Sequence, residues 1–140
     1  MIKFESRIGK IEENEGVIFN FAKDMRNFKQ FIPPDTVKNW EADINSCSFE
    51  VSPVGKAGLS IVERDPNKTV KFAGNGLNGT EFFLWLQLKQ TGEKETRTRI
   101  TIKADLNPAL KMMATKPIND FLEKIVTGME SFKAWSDTKL

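Results

Sequence analysis

The chain has 140 residues, a length that suits one domain, and its 21 basic and 19 acidic side chains are scattered rather than striped, which argues against a nucleic-acid partner. It contains no histidine and no tyrosine, which removes Ser–His–Asp catalysis, Cys–His catalysis and histidine-based metal sites, and its single cysteine, Cys47, excludes an internal disulfide framework and a multi-cysteine metal site. No apolar run approaches the ~20 residues of a spanning helix, and the start Met1-Ile2-Lys3-Phe4-Glu5 lacks a secretory apolar core, so the expected setting is cytoplasmic, with no metal and no cofactor.

In chain order, residues 2–12 read as a strand with Ile2, Phe4 and Ile8 on one side and Lys3, Glu5 and Arg7 on the other. Asn14-Glu15 opens a short helix with Val17, Ile18 and Phe21 on its apolar face. Met25, Phe28, Phe31 and Ile32 belong to a second short helix, which Pro33-Pro34 stops. Residues 37–106 then read as six strands joined by short turns. A turn at Asn45-Ser46 sets Ile44 opposite Cys47, Ala42 opposite Phe49 and Trp40 opposite Val51. A turn at Asp65-Pro66-Asn67-Lys68 sets Ile61 against Phe72 and Glu63 against Val70, and one at Gly92-Glu93-Lys94 sets Leu88 against Thr98, Leu86 against Ile100 and Leu84 against Ile102. All three hairpins put their apolar residues on one face, as in an antiparallel meander with one buried side.

Asn107-Pro108 supplies a cap and a first-turn proline for a long amphipathic helix ending near Trp135. Its apolar stripe runs through Leu110, Ala114, Pro117, Phe121, Ile125, Gly128, Phe132 and Trp135. Pro117 predicts a kink, with residues 108–116 either a movable flap or a fixed bend. One helix across one curved sheet does not fill the concavity, so the pattern predicts an α+β fold with a hollow. Connections in a meander alternate between the sheet's two ends. The glycine-rich links Ser52-Pro53-Val54-Gly55-Lys56-Ala57-Gly58 and Gly74-Asn75-Gly76-Leu77-Asn78-Gly79-Thr80 therefore share one end with the helix start, and Pro53, Val54, Leu77 and Asn78 are assigned to the cavity mouth.

This succession resembles the START-like, or SRPBCC, superfamily, which includes birch-pollen-allergen-like proteins, lipid-transfer domains and polyketide cyclases. The likeness covers nearly the whole chain. Its most specific pieces are Val17-Ile18-Phe19-Asn20-Phe21 with Asp24-Met25-Arg26-Asn27-Phe28, and Asn107-Pro108-Ala109-Leu110-Lys111-Met112-Met113 leading into Lys116-Pro117, which look like a bacterial branch. The resemblance implies a helix-grip fold, in which a curved seven-stranded antiparallel sheet grips the C-terminal helix around a largely apolar cavity. Two departures limit it. The allergen-like proteins carry a glycine-rich loop where this chain has the tight Asn45-Ser46 turn, and the histidine or tyrosine often found in cyclase cavities is missing.

The cavity is expected to be lined from the sheet by Trp40, Phe49, Leu59, Ile61, Phe72, Leu84 and Ile102, and from the helix by Leu110, Met113, Pro117 and Phe121, with Ile125 and Phe132 deeper. Each of these also serves as ordinary core. Glu63, on the same face in the expected register, is the one weak catalytic candidate; it could equally be solvated beside its turn. Phe83 and Trp85 fall on the opposite face, where Arg99 and Lys103 stems could cover the indole or a weak homodimer could form on an otherwise monomeric protein. Three functions follow: a carrier or sensor of a small hydrophobic molecule (lipid, isoprenoid, quinone or polyketide-like), a cyclase or dehydratase, or a protein-interaction module with a filled core.

Overall fold

A computed structural model describes residues 1–51, 55–76 and 79–136. The elements are β1 (Ile2–Glu5), β2 (Gly9–Ile11), α1 (Glu15–Ala22), a 3-10 helix (Met25–Phe31), β3 (Val37–Ala42), β4 (Ser46–Val51), β5 (Gly55–Asp65), β6 (Thr69–Gly76), β7 (Phe82–Gly92), β8 (Glu95–Ala104) and α2 (Pro108–Ser131). The strands form one antiparallel sheet in the order β1-β8-β7-β6-β5-β4-β3, with β2 also paired to β8. Because β1 and β2 occupy one edge position in succession, the sheet has seven positions and eight strand segments. This is the expected helix-grip architecture.

The edge strand is broken where a continuous one was expected. Ser6 donates its N–H to the Ile100 carbonyl and accepts the Ile100 N–H on its hydroxyl at 2.9 Å, so one residue satisfies both groups and the chain bulges before β2. Ile8 is thereby turned out to solvent, 59% exposed, instead of joining Ile2 and Phe4. Arg7 is redirected onto α2, donating to Glu123 Oε1 and Glu130 Oε1 at 2.7 Å each and to Thr127 Oγ1 at 3.0 Å. Hydrogen bonds from Arg7 and from the Lys10 N–H hold the Glu130 carboxyl below the usual range.

Asn14 and Asn107 cap α1 and α2 as their sequences predict, accepting N–H bonds from Val17 and Leu110. Pro108 occupies the first turn, and α2 is helical throughout, Pro117 included. It stops at Ser131, with Phe132 extended (φ −73, ψ 136), so Trp135 is reached by the chain beyond the helix. Trp135 is nonetheless buried at 1% exposure in a cluster of rings with Phe21, Phe31 and Phe132, at centroid distances of 5.1, 5.4 and 4.9 Å.

The stripe that α2 buries is rotated from the expected one. Leu110, Ala114 and Ile125 are buried as anticipated, but so are Leu122, Val126 and Met129, while Pro117 and Phe121 are only half-buried. The cause lies in β2. A Cβ placed on Gly9 would come within 2.5 Å of Val126 Cγ1 and 3.3 Å of Thr98 Cγ2, so the missing side chain lets the helix settle directly on the strand. Close backbone contacts of α2 with the sheet are made at β2, β1 and β8, along one edge, and α2 also meets the 3-10 helix, which lies against β3 and β4 at the other.

Substituting Gly9→Ala should lower the melting temperature by roughly 3–10 °C through overpacking. In a double-mutant cycle with Val126→Ala the combined loss should be smaller than the sum, and additive losses would show that the two do not meet.

Candidate functional site

Between the concave face of the sheet and α2 lies an apolar hollow in two lobes. The first, about 50 Å³, is lined from the sheet by Val37, Trp40, Phe72, Leu86 and Ile100, from the 3-10 helix region by Met25, Phe28 and Ile32, and from α2 by Ile125. The second, about 60 Å³, is lined by Val51, Ala57, Phe82, Ile102 and Ala104 of the sheet and by Pro117 and Ile118 of α2. Phe49, Leu59, Leu84 and Phe121 line both, and so form the waist. Neither lobe presents a polar atom among the described residues.

The register explains why these side chains converge. Phe72 pairs with Leu84 and Leu84 with Ile102, so the three share one inward row across β6, β7 and β8. The expected register of the last hairpin holds, with Leu84, Leu86 and Leu88 opposite Ile102, Ile100 and Thr98, and that of the second holds at Ile61 opposite Phe72 but not at Glu63. The first hairpin does not hold. The Asp43 carboxylate accepts the N–H groups of Asn45 and Ser46 at 2.9 and 2.8 Å, an Asx-type turn that pulls the reversal back to Ile44-Asn45 and pairs Ala42 with Cys47. Those bonds hold the Asp43 carboxyl below its ordinary range. The same register sets the Trp40 ring 6.0 Å from that of Phe49 rather than opposite Val51, and a bulge at Asn39, whose φ is 55, then pairs Val37 with Val51.

Of the residues expected to line the cavity, Trp40, Phe49, Leu59, Phe72, Leu84, Ile102, Pro117 and Phe121 are brought together. Ile61 is not among them. It borders a shallow outer groove with Arg26, Asp43 and Ser46. Leu110 and Met113 lie at a separate open groove with Thr80, Glu81, Asp105 and Asn107, and Met113 is 43% exposed. The hollow thus lies beneath Phe121, not beneath Met113. Pro53, Val54, Leu77 and Asn78, assigned to the mouth, fall outside the described residues.

Glu63 is displaced by a second bulge. The pairing slips between Ile61 and Glu63, so Glu63 faces Lys71 and is exposed, and Arg64 takes the place beside Val70. Arg64 is tied there by donating to Asn45 Oδ1 at 2.7 Å and the Lys23 carbonyl at 3.2 Å. A carboxylate at Glu63 therefore has no access to the hollow. Cys47 is buried on β4, and burial pushes its thiol up to about 12, which leaves the thiolate scarce at neutral pH. No group of three or more His, Cys, Asp or Glu side chains suited to a metal ion occurs among the described residues.

On the convex face, Lys71 Nζ lies 5.1 Å from the Phe83 ring centroid and 5.5 Å from that of Trp85, with Lys103 Nζ 5.7 Å from Trp85. The Arg99 guanidinium pairs with Glu5 at 3.4 Å. No helix among the described residues is long and apolar enough to cross a membrane.

Among the lining residues missed by sequence reasoning were Met25, Phe28 and Ile32, already read as a helix face but not referred to the hollow, and Leu86 and Ile100, whose register was read correctly. The signal was present in both cases.

No protein-family model and no curated protein sequence matches the chain. Solved structures do. A START superfamily protein from Mycobacterium smegmatis superposes with a TM-score of 0.67 at 10% identity, covering 91% of this chain and 94% of its own. Truncated norcoclaurine synthase from Thalictrum flavum gives 0.65 at 10%, covering 94% and 96%. The di-domain ARO/CYC BexL of the BE-7585A biosynthetic pathway gives 0.69 at 11%, with 93% of this chain matching 45% of that one. The chain has a START-like fold. At these identities the likeness concerns the fold.

Treated with a thiol reagent at neutral pH, native Cys47 should react far more slowly than in guanidinium-unfolded protein. Equal rates would contradict its burial.

Proposed function

We propose that this START-like chain binds or carries a small hydrophobic molecule, such as a lipid, isoprenoid, quinone or polyketide-like compound, between its sheet and α2. The observation that carries this reading is the two-lobed hollow with wholly apolar walls. Burial of apolar surface, at about 25 cal/mol per Å², would supply the affinity, with few directional contacts. Structural neighbours named as norcoclaurine synthase and as an ARO/CYC of a biosynthetic pathway are compatible with small-molecule binding in this fold.

A cyclase or dehydratase role draws less support. Proton transfer requires a titratable group within reach of the guest, and the described walls offer none, while Glu63 faces solvent. A protein-interaction module with a filled core is disfavoured by the hollow itself and by the lysines over Phe83 and Trp85.

Native mass spectrometry of protein purified from its own host, followed by solvent extraction, is expected to recover one defined apolar compound. Leu84→Trp, which inserts bulk at the waist, should be recovered bare. Bare protein in both cases would overturn the proposal.

A further inference from the structure

We propose that Phe121 sets the length of hydrocarbon the hollow admits, acting as a movable partition between the two lobes; this rests on the hollow being the binding site. Four side chains belong to both lobes, and three of them, Phe49, Leu59 and Leu84, are fixed in the sheet. Phe121 alone comes from the helix. Each lobe, at about 50 and 60 Å³, is smaller than the roughly 150 Å³ of an apolar cavity that takes benzene. A longer guest needs the lobes joined, and the ring between them is the part that has to move.

Two features of the surroundings favour movement at this position over its neighbours. Phe121 is half-buried, whereas Leu122 and Val126, on the side of α2 seated on the sheet, are buried. It also stands outside the ring cluster of Phe21, Phe31, Phe132 and Trp135, whose interlocking edges hold those side chains in place. Pro117 sits one turn earlier and lines the second lobe itself, and its missing N–H leaves the helix without one bond back to Met113.

The walls also specify what kind of chain enters. With no polar atom of the described residues in either lobe, a carbonyl or ether oxygen drawn inside loses its water partners and gains none from them, costing about tenfold or more in affinity for each such group. Among the guests proposed above, the walls therefore select a plain hydrocarbon tail whose polar end stays outside, as in a lipid or isoprenoid, over a polyketide-like chain oxygenated along its length.

Calorimetric titration of the full chain with straight-chain alkanols from butanol to dodecanol tests this, with tetraethylene glycol dimethyl ether as the oxygenated comparator. Affinity should rise about fourfold per added methylene up to a break point. The break should move to longer chains in Phe121→Ala, less so in Phe121→Leu, and to shorter chains in Phe121→Trp, while the polyether gives no saturable heat. The leucine and tryptophan variants keep a large apolar group in place, so the series stands if the alanine variant fails to fold. Alkanols that bind with the same break in every folded variant would overturn the partition and leave the binding site intact. No alkanol binding to any protein, wild type included, would overturn the binding site and the partition with it.

Discussion

The seating of α2 on β2 governs the interior. Gly9 has no side chain, Val126 occupies the space a Cβ would take, and Leu122 and Met129 are buried on the same side of the helix. Arg7, turned inward by the bulge at Ser6, ties the same stretch of helix through Glu123, Thr127 and Glu130. The ion pairs are exposed and contribute modestly, so the apolar contact supplies most of the stabilisation and the charges orient it. A helix seated this tightly on one edge of a bent sheet stands away from the middle strands. The space left over β4 to β8 is the hollow, and it is roofed by Pro117, Ile118, Phe121 and Ile125.

Much of this was legible in the residues because local turn chemistry and strand alternation agreed. The Leu84, Leu86 and Leu88 row faced its β8 partners as read, and both asparagine caps were recognisable from their positions before Glu15 and Pro108. What was not legible has one physical origin. A strand has a period of two, so a single extra residue exchanges its faces from that point on. Bulges near Ser6, Asn39 and Val62 did this three times: they exposed Ile8, brought Val37 to the hollow and turned Glu63 outward. Nothing in the alternation of apolar residues announces a bulge. The hydrogen bonds that make them, such as the Ser6 hydroxyl with Ile100, join residues far apart in the chain.

The same reasoning accounts for the helix. A stripe drawn at helical spacing picks out Phe121 and Pro117 as well as Ile125, but which part of a broad apolar face is buried depends on what it packs against. Gly9, read only as a strand residue, decided it. Phe121 was left over the trough as a result, and the hollow owes its waist to that displacement. Its walls are dry by composition, and a void with such walls attracts apolar guests rather than ordered water.

Crystals of the protein under xenon pressure would show whether the hollow is open, because xenon enters apolar voids irrespective of any natural ligand. The account predicts xenon on both sides of the Phe121 ring, in contact with Phe49 and Leu84. Side-chain density that closes the gap between α2 and the sheet, with no xenon between them, would contradict it.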